Sequence, residues 1–231
     1  MKKPALVIGV AVAAISLAVG ITGCGSDSKS TKASTSTSTS TSTSTSTKTT
    51  TATTSAEASG PNPTIADYLK QNGIDTTVIS HSTAGAPTID LPVPDNWTKL
   101  PESDDAPYGG IQFNSPSNPS DPPQILAAFV KLSGNADPDK ILAAAPGQTK
   151  NLQGFEGGDG QKDSLGGFPA YQIGGTYMKD GAKRLIAEKT VVIQGKDGLY
   201  VLQLRAQAPE ADSTPLMDAT SDIDQKTTIT V

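Results

Sequence analysis

Apolar and polar positions fall into three regimes along the chain. Ala5 to Val19 is an unbroken run of apolar and small residues. Ser26 to Ser59 has no aliphatic side chain larger than alanine, and Ser34 to Thr47 alternates strictly between serine and threonine. From 61 to 231 the apolar residues come in short stretches punctuated by glycine and proline. The third regime predicts the folded elements. Ile65, Tyr68 and Leu69 share one face of a helix over 63–73, with Thr64 to cap its start and Gly73 to end it. Thr76–Ser80, Thr88–Leu91 and 108–114 read as strands, the last with Ile111 and Phe113 on one face. Gln124–Leu132 is apolar on both faces and belongs at the centre of a sheet. Asp137 and Pro138 start a second helix, which Pro146-Gly147 ends.

The strongest pattern begins at Phe168. Three β-rich runs, 168–178, 183–194 and 199–208, are joined by Asp180-Gly181 and Asp197-Gly198, which are hairpin-turn dipeptides. They predict an antiparallel meander, with Tyr200, Leu202 and Leu204 on one face and Val201, Gln203 and Arg205 on the other. A helix over 210–225 follows, with Leu216, Ala219, Thr220 and Ile223 inward and Asp212 or Ser213 as cap. Thr227–Val231 closes as an edge strand. The order is that of an α+β domain at 61–231: one antiparallel sheet of about six strands flanked by helices, preceded by a disordered tether. Trp97, the one tryptophan, follows a Pro-Val-Pro-Asp-Asn bend and is expected to plug the end of the core there, with ligand stacking as its other reading.

The first two regimes carry location rather than chemistry. Lys2 and Lys3, the apolar run and then Ile21-Thr22-Gly23-Cys24 match a bacterial lipoprotein signal ending in a lipobox. Residues 1–23 are read as the signal peptide and Cys24 as the lipid-attachment site. A thioether there can hold diacylglycerol permanently, and palmitate-type chains contribute about 0.8 kcal/mol per buried methylene. Residues 24–60 are the lipidated cysteine and its tether, too polar to bury a core. Thirty-six residues of such coil reach roughly 30–36 Å. Both a bare spacer and an O-glycosylated stalk fit the hydroxyls. The expected place is the extracytoplasmic face of the cell membrane, with the membrane itself as partner through Cys24. Asn96-Trp97-Thr98 matches the N-glycosylation triplet, which such an export route makes irrelevant.

Charge and candidate chemistry narrow the reading further. Residues 61–231 carry 13 basic and 21 acidic side chains, a balance of −8, and no basic stripe, which excludes nucleic acid as a partner class. Cys24 is the sole cysteine, so no intrachain disulfide exists. His81 is the sole histidine and reads as a surface loop residue, leaving no histidine cluster for a metal. Ser164 lacks a GxSxG frame. Asp104-Asp105 and Asp137/Asp139 read as loop solvation and helix capping, and Asp121 as a turn residue. The glycines from Gly154 to Gly167 fit no phosphate-binding pattern and read as mobile turns. No catalytic, metal or cofactor residue is assigned, and ligand-binding residues stay open. A sheet roofed by helices can still open an apolar groove.

The lipobox, the Ser/Thr tether, Ile65-Ala66-Asp67-Tyr68-Leu69 and Pro87 to Trp97 together resemble the LpqN/LpqT-type lipoproteins of mycobacteria, as do Leu165 to Ala170 and Leu199 to Leu202. The resemblance spans most of 63–231. It implies a Mog1/PsbP-like α/β/α sandwich and a non-enzymatic cell-envelope lipoprotein that binds a glycolipid, such as an acyl trehalose, or an envelope-transport partner. The alternatives are a protein–protein docking module at the outer face of the membrane and, behind it, an uncharacterised hydrolase.

Overall fold

A computed structural model describes residues 60–231; the signal segment, Cys24 and the tether lie outside the described residues. The elements in chain order are α1 (Ile65–Gln71), β1 (Asp75–Val78), β2 (Thr88–Asp90), β3 (Trp97–Leu100), β4 (Gly110–Phe113), β5 (Gln124–Ser133), α2 (Pro138–Ala144), α3 (Pro146–Lys150), β6 (Glu156–Gly157), β7 (Gln161–Leu165), β8 (Phe168–Lys179), β9 (Ala182–Gly195), β10 (Gly198–Pro209), a 3₁₀ turn (Glu210–Asp212), α4 (Ser213–Lys226) and β11 (Thr228–Thr230).

Nine strands form one antiparallel sheet in the order β3-β4-β5-β10-β9-β8-β6, with β1 paired to β5 and β7 paired to β8. The meander is its backbone. Asp180 (φ 53°) and Gly181 (φ 78°) both take the left-handed conformation that a tight hairpin turn between right-twisted strands requires. The sheet is broader than the sequence suggests. Trp97 opens a strand instead of ending a bend, and the glycine-rich stretch holds β6 and β7. Strand β7 is polar at every position but Leu165, so no alternation marks it; its pairing to β8 does. Thr88–Asp90 and Thr228–Thr230 are strands as expected, but they pair with each other and not with the main sheet.

Both faces of the central strands are apolar, and each face has its own core. Toward α4 point Phe129, Val191, Ile193, Tyr200, Leu202 and Leu204, joined by Leu216, Ala219 and Ile223 from the helix. Toward α1 and α2 point Leu132, Val192 and Val201, which meet Leu69, Ile141 and Leu142. Trp97 is buried in the first core, its ring 5.5 Å from Phe113, as a plug. The result is the α/β/α sandwich.

Local chemistry sets the helix boundaries. Thr64 and Asp67 close a reciprocal capping box on α1, the Thr64 hydroxyl accepting from the Asp67 N–H at 3.1 Å and the Asp67 carboxylate from the Thr64 N–H at 2.9 Å. Asp137 caps α2 with Pro138 in its first turn, and its N–H donates to the Tyr68 hydroxyl at 2.9 Å, tying α2 to α1. Pro146-Gly147 does not end the helical region: Pro146 begins α3, since its missing N–H costs nothing in a first turn. Gly147 packs directly on the Pro63 backbone, and Asn151 brackets Asn62 with three hydrogen bonds of 2.8–3.1 Å. Asp212 does not cap α4. Its carboxylate accepts from the Ser117 hydroxyl at 2.6 Å and the Ser117 N–H at 3.1 Å, pinning the proline-rich loop. Asp121 is likewise more than a turn residue, because it pairs with the buried Arg184.

Lys189, almost fully buried, joins three elements: its ammonium on β9 donates to Asp163 of β7 at 2.7 Å and to Asp224 of α4 at 2.5 Å. That hydrogen bond holds the Asp163 carboxyl below its ordinary 3.8. A carboxyl with a depressed folded value stabilises the fold above its unfolded value and loses that contribution as pH falls through the folded one. Asp163→Asn should therefore melt below wild type at neutral pH, with the gap closing below about pH 4; a gap of constant size from about pH 7 to about pH 3 contradicts this. Gly147→Ala drives a methyl into the Pro63 backbone. It should destabilise by about 1–3 kcal/mol, lowering the melting temperature by roughly 2–4 °C per kcal/mol; an unchanged melt contradicts the close approach.

Candidate functional site

The α4 face of the sheet is not filled. Alternate residues of β10 (Tyr200, Leu202, Leu204, Ala206) point at this face, and α4 covers only part of it. Among the described residues, two cavities border α4. The first, about 150 Å³, lies between the β2 segment and strands β4, β5 and β10, with Ile89, Leu91, Ile111, Ile125, Leu204 and Ile223 in its wall. Its polar neighbours, His81, Asp90 and Lys99, carry exposed or half-exposed side chains and sit at the rim. The second, about 180 Å³, runs between α4 and strands β8 and β9, walled by Ile125, Ala187, Leu204, Ala206, Thr220 and Ile223. Its polar lining is Gln172 and Lys189 with Asp224. Ile125, Leu204 and Ile223 belong to both walls.

His81 occupies a turn at the mouth of the first cavity. Its Nδ1 lies 2.9 Å from Glu102 Oε1, and its backbone N–H donates to the same oxygen at 3.0 Å. These bonds hold the Glu102 carboxyl below its usual range. The imidazole stacks on Tyr108 at 4.0 Å and 16°. Tyr108 is buried in the cavity wall, and burial pushes its phenol up. The His81 side chain is 60% exposed, so its reading as a surface loop residue holds for exposure, but its ring is held on the cavity rim by Glu102 and Tyr108. Ser80 Oγ bonds Ser82 Oγ at 2.9 Å and Thr83 Oγ1 at 3.3 Å, which stabilises the turn and does not present a nucleophile to the imidazole.

The opposite face holds a polar cluster that the sequence hid. Glu188 is buried and accepts from the Thr149 hydroxyl at 2.8 Å, the Arg205 guanidinium at 3.3 Å and the Gln203 amide at 3.4 Å. The space beside it is about 30 Å³, room for little more than a water. A carboxylate with three donors is a satisfied structural group. Glu188 stands beside Lys189 in a strand that also carries Lys183, Arg184 and Thr190, so no local pattern singles it out, and its partners come from α3 and β10, distant in sequence. Asp104 and Asp105 are exposed loop residues, Asp137 caps, and Ser164 lies on edge strand β7. Among the described residues no group of three or more His, Cys, Asp or Glu side chains could hold a metal ion. No described helix is long and apolar enough to cross a membrane.

Comparison with known proteins agrees with this architecture. A crystal structure of LpqN from Mycobacterium tuberculosis, a protein described as involved in cell envelope biogenesis, superposes with a TM-score of 0.73 at 54% identity, covering 74% of this chain and 100% of that one. By sequence, the lipoprotein LpqN of that organism is 54% identical over 173 residues, 74% of this chain and 76% of the relative. A proline-rich 28 kDa antigen homologue of Mycobacterium leprae is 23% identical over 141 residues, 61% of this chain and 51% of that protein. The family model for the probable lipoprotein LpqN matches residues 61–230, and this chain belongs to that family.

Proposed function

We propose that this protein is a cell-envelope lipoprotein that binds the hydrocarbon part of a glycolipid beneath α4 and leaves the sugar at the rim. The observation that carries the reading is the division of chemistry in the cavities: mostly apolar walls, with the exposed His81, Asp90 and Lys99 at the rim of the first and Gln172, Thr220 and the Lys189–Asp224 pair grouped in the lining of the second. An amphiphile matches that division. Its chain replaces water against Ile, Leu and Ala, and its hydroxyls meet donors and acceptors outside. The envelope role described for the Mycobacterium tuberculosis LpqN supports the same reading. An acyl trehalose is one member of the ligand class. Docking of an envelope-transport protein has less support, because the exposed large apolar side chains among the described residues are Val93, Met217 and Val231, three scattered positions and no continuous patch.

In this reading Cys24 carries the lipid anchor, residues 1–23 are removed as signal peptide, and the tether at 24–60 holds domain 61–231 away from the extracytoplasmic face. The acidic domain has no charge attraction to anionic lipid, so attachment rests on Cys24. The role is binding rather than catalysis.

Domain 61–231 contains both cores, the family model matches residues 61–230, and the crystallised relative is covered over its whole length. Incubated with an alkyl glucoside below its micelle concentration, the domain should show a one-to-one adduct by native mass spectrometry and a raised melting temperature, while glucose alone does neither. No adduct and no shift with any alkyl glucoside overturns the lipid reading. In cells, Cys24→Ala should leave the membrane fraction or stay unprocessed; unchanged membrane partitioning at unchanged mass contradicts the anchor.

A further inference from the structure

We infer that Ile223 is the residue that sets the length of hydrocarbon chain this protein accepts, by closing off one cavity from the other. The inference rests on the glycolipid reading above.

Three side chains belong to both cavities: Ile125, Leu204 and Ile223. Two of them are fixed in the sheet. Ile125 on β5 is paired with Ile111 of β4 and Ala206 of β10, and Leu204 on β10 is paired with Ala127 of β5 and Lys189 of β9. Ile223 comes from the other side, on a helix laid against the sheet and not paired into it, and it is 4% exposed. It is therefore the side chain that reaches across from the roof to the floor where the two spaces meet.

Its surroundings keep it there. The Ile223 carbonyl accepts both the Thr227 N–H at 3.0 Å and the Thr227 hydroxyl at 2.6 Å, and the next residue, Asp224, is held by Lys189 at 2.5 Å. A β-branched side chain in a helix has one strongly preferred χ1, so the barrier is stiff as well as anchored.

Size gives the barrier its consequence. An apolar cavity of about 150 Å³ accepts one benzene, about six carbons. The two cavities, about 150 Å³ and about 180 Å³, are each of that order. A chain entering either one meets Ile223 after about six carbons, and only a path past that side chain would let a single chain run through both.

The test is a chain-length series. Affinities of wild type and Ile223→Ala are measured by calorimetry for n-alkyl β-glucosides from butyl to dodecyl, each below its micelle concentration. Wild-type affinity should rise about fourfold per added methylene and level off near hexyl. In Ile223→Ala the rise should continue toward dodecyl, making the dodecyl glucoside the better ligand of the variant. Ile223→Val, which removes less and is safer for folding, should move the plateau the same way by less, with thermal melts confirming a folded state for both. Identical chain-length profiles, or a variant weaker by one constant factor at every length, overturn the role of Ile223 while leaving the glycolipid reading standing. No binding of any glucoside by wild type overturns both.

Discussion

Strands β5, β9 and β10 carry apolar side chains on both faces, so neither face of the sheet can be left to water. Most of the rest of the fold answers that requirement. On one face α1 and α2 lie side by side, clasped by the hydrogen bond from the Asp137 N–H to the Tyr68 hydroxyl, and with α3 they cover their part of the sheet. On the other face the described cover is one helix with the β2–β11 ribbon. Seven strands at about 4.8 Å each span about 30 Å, whereas α4 with its side chains is about 10–12 Å across and about 21 Å long. Ala86, Leu91 and Ile229 from the ribbon roof part of the difference. What they do not roof is cavity, and the two cavities lie along the seams of α4, one toward the ribbon and one toward β8.

The polar groups on that face are arranged around the same seams. Lys189 would be costly to bury alone; with Asp163 and Asp224 on either side it becomes the tie between the edge strand, the sheet and the helix roof. His81 and Glu102 do the corresponding work at the far mouth, where the imidazole lies flat on Tyr108. Across the sheet, Glu188 and its three donors fill the polar centre under α3 and leave almost no space. The two faces thus differ in kind: one is closely packed, the other roofed and partly hollow.

Much of this was legible from residue order, because much of it is local. Asp180-Gly181 needs two left-handed residues and has them; Thr64 and Asp67 stand three apart as a capping box should; alternation along 199–208 puts Tyr200, Leu202 and Leu204 on one face. The features that escaped are those decided by distant partners. Strand β7 is polar and becomes a strand by pairing with β8. Asp212 had a local use as a cap and is taken by Ser117 instead, and Asp121 is taken by Arg184. Ile223 was legible as an inward-facing residue, yet its place between two cavities depends on how far the roof extends, which no spacing along the chain encodes.

In the proposed complex the hollow beneath α4 receives a hydrocarbon chain. The most direct measurement is of intermolecular nuclear Overhauser effects between the alkyl protons of a bound alkyl glucoside and the methyl groups of the isotope-labelled domain. Contacts to the methyls of Ile125, Leu204 and Ile223, with none to Ile141, Val192 or Leu132 on the opposite face, are the expected result. Contacts confined to the exposed Met217, or to the α1–α2 core, contradict it.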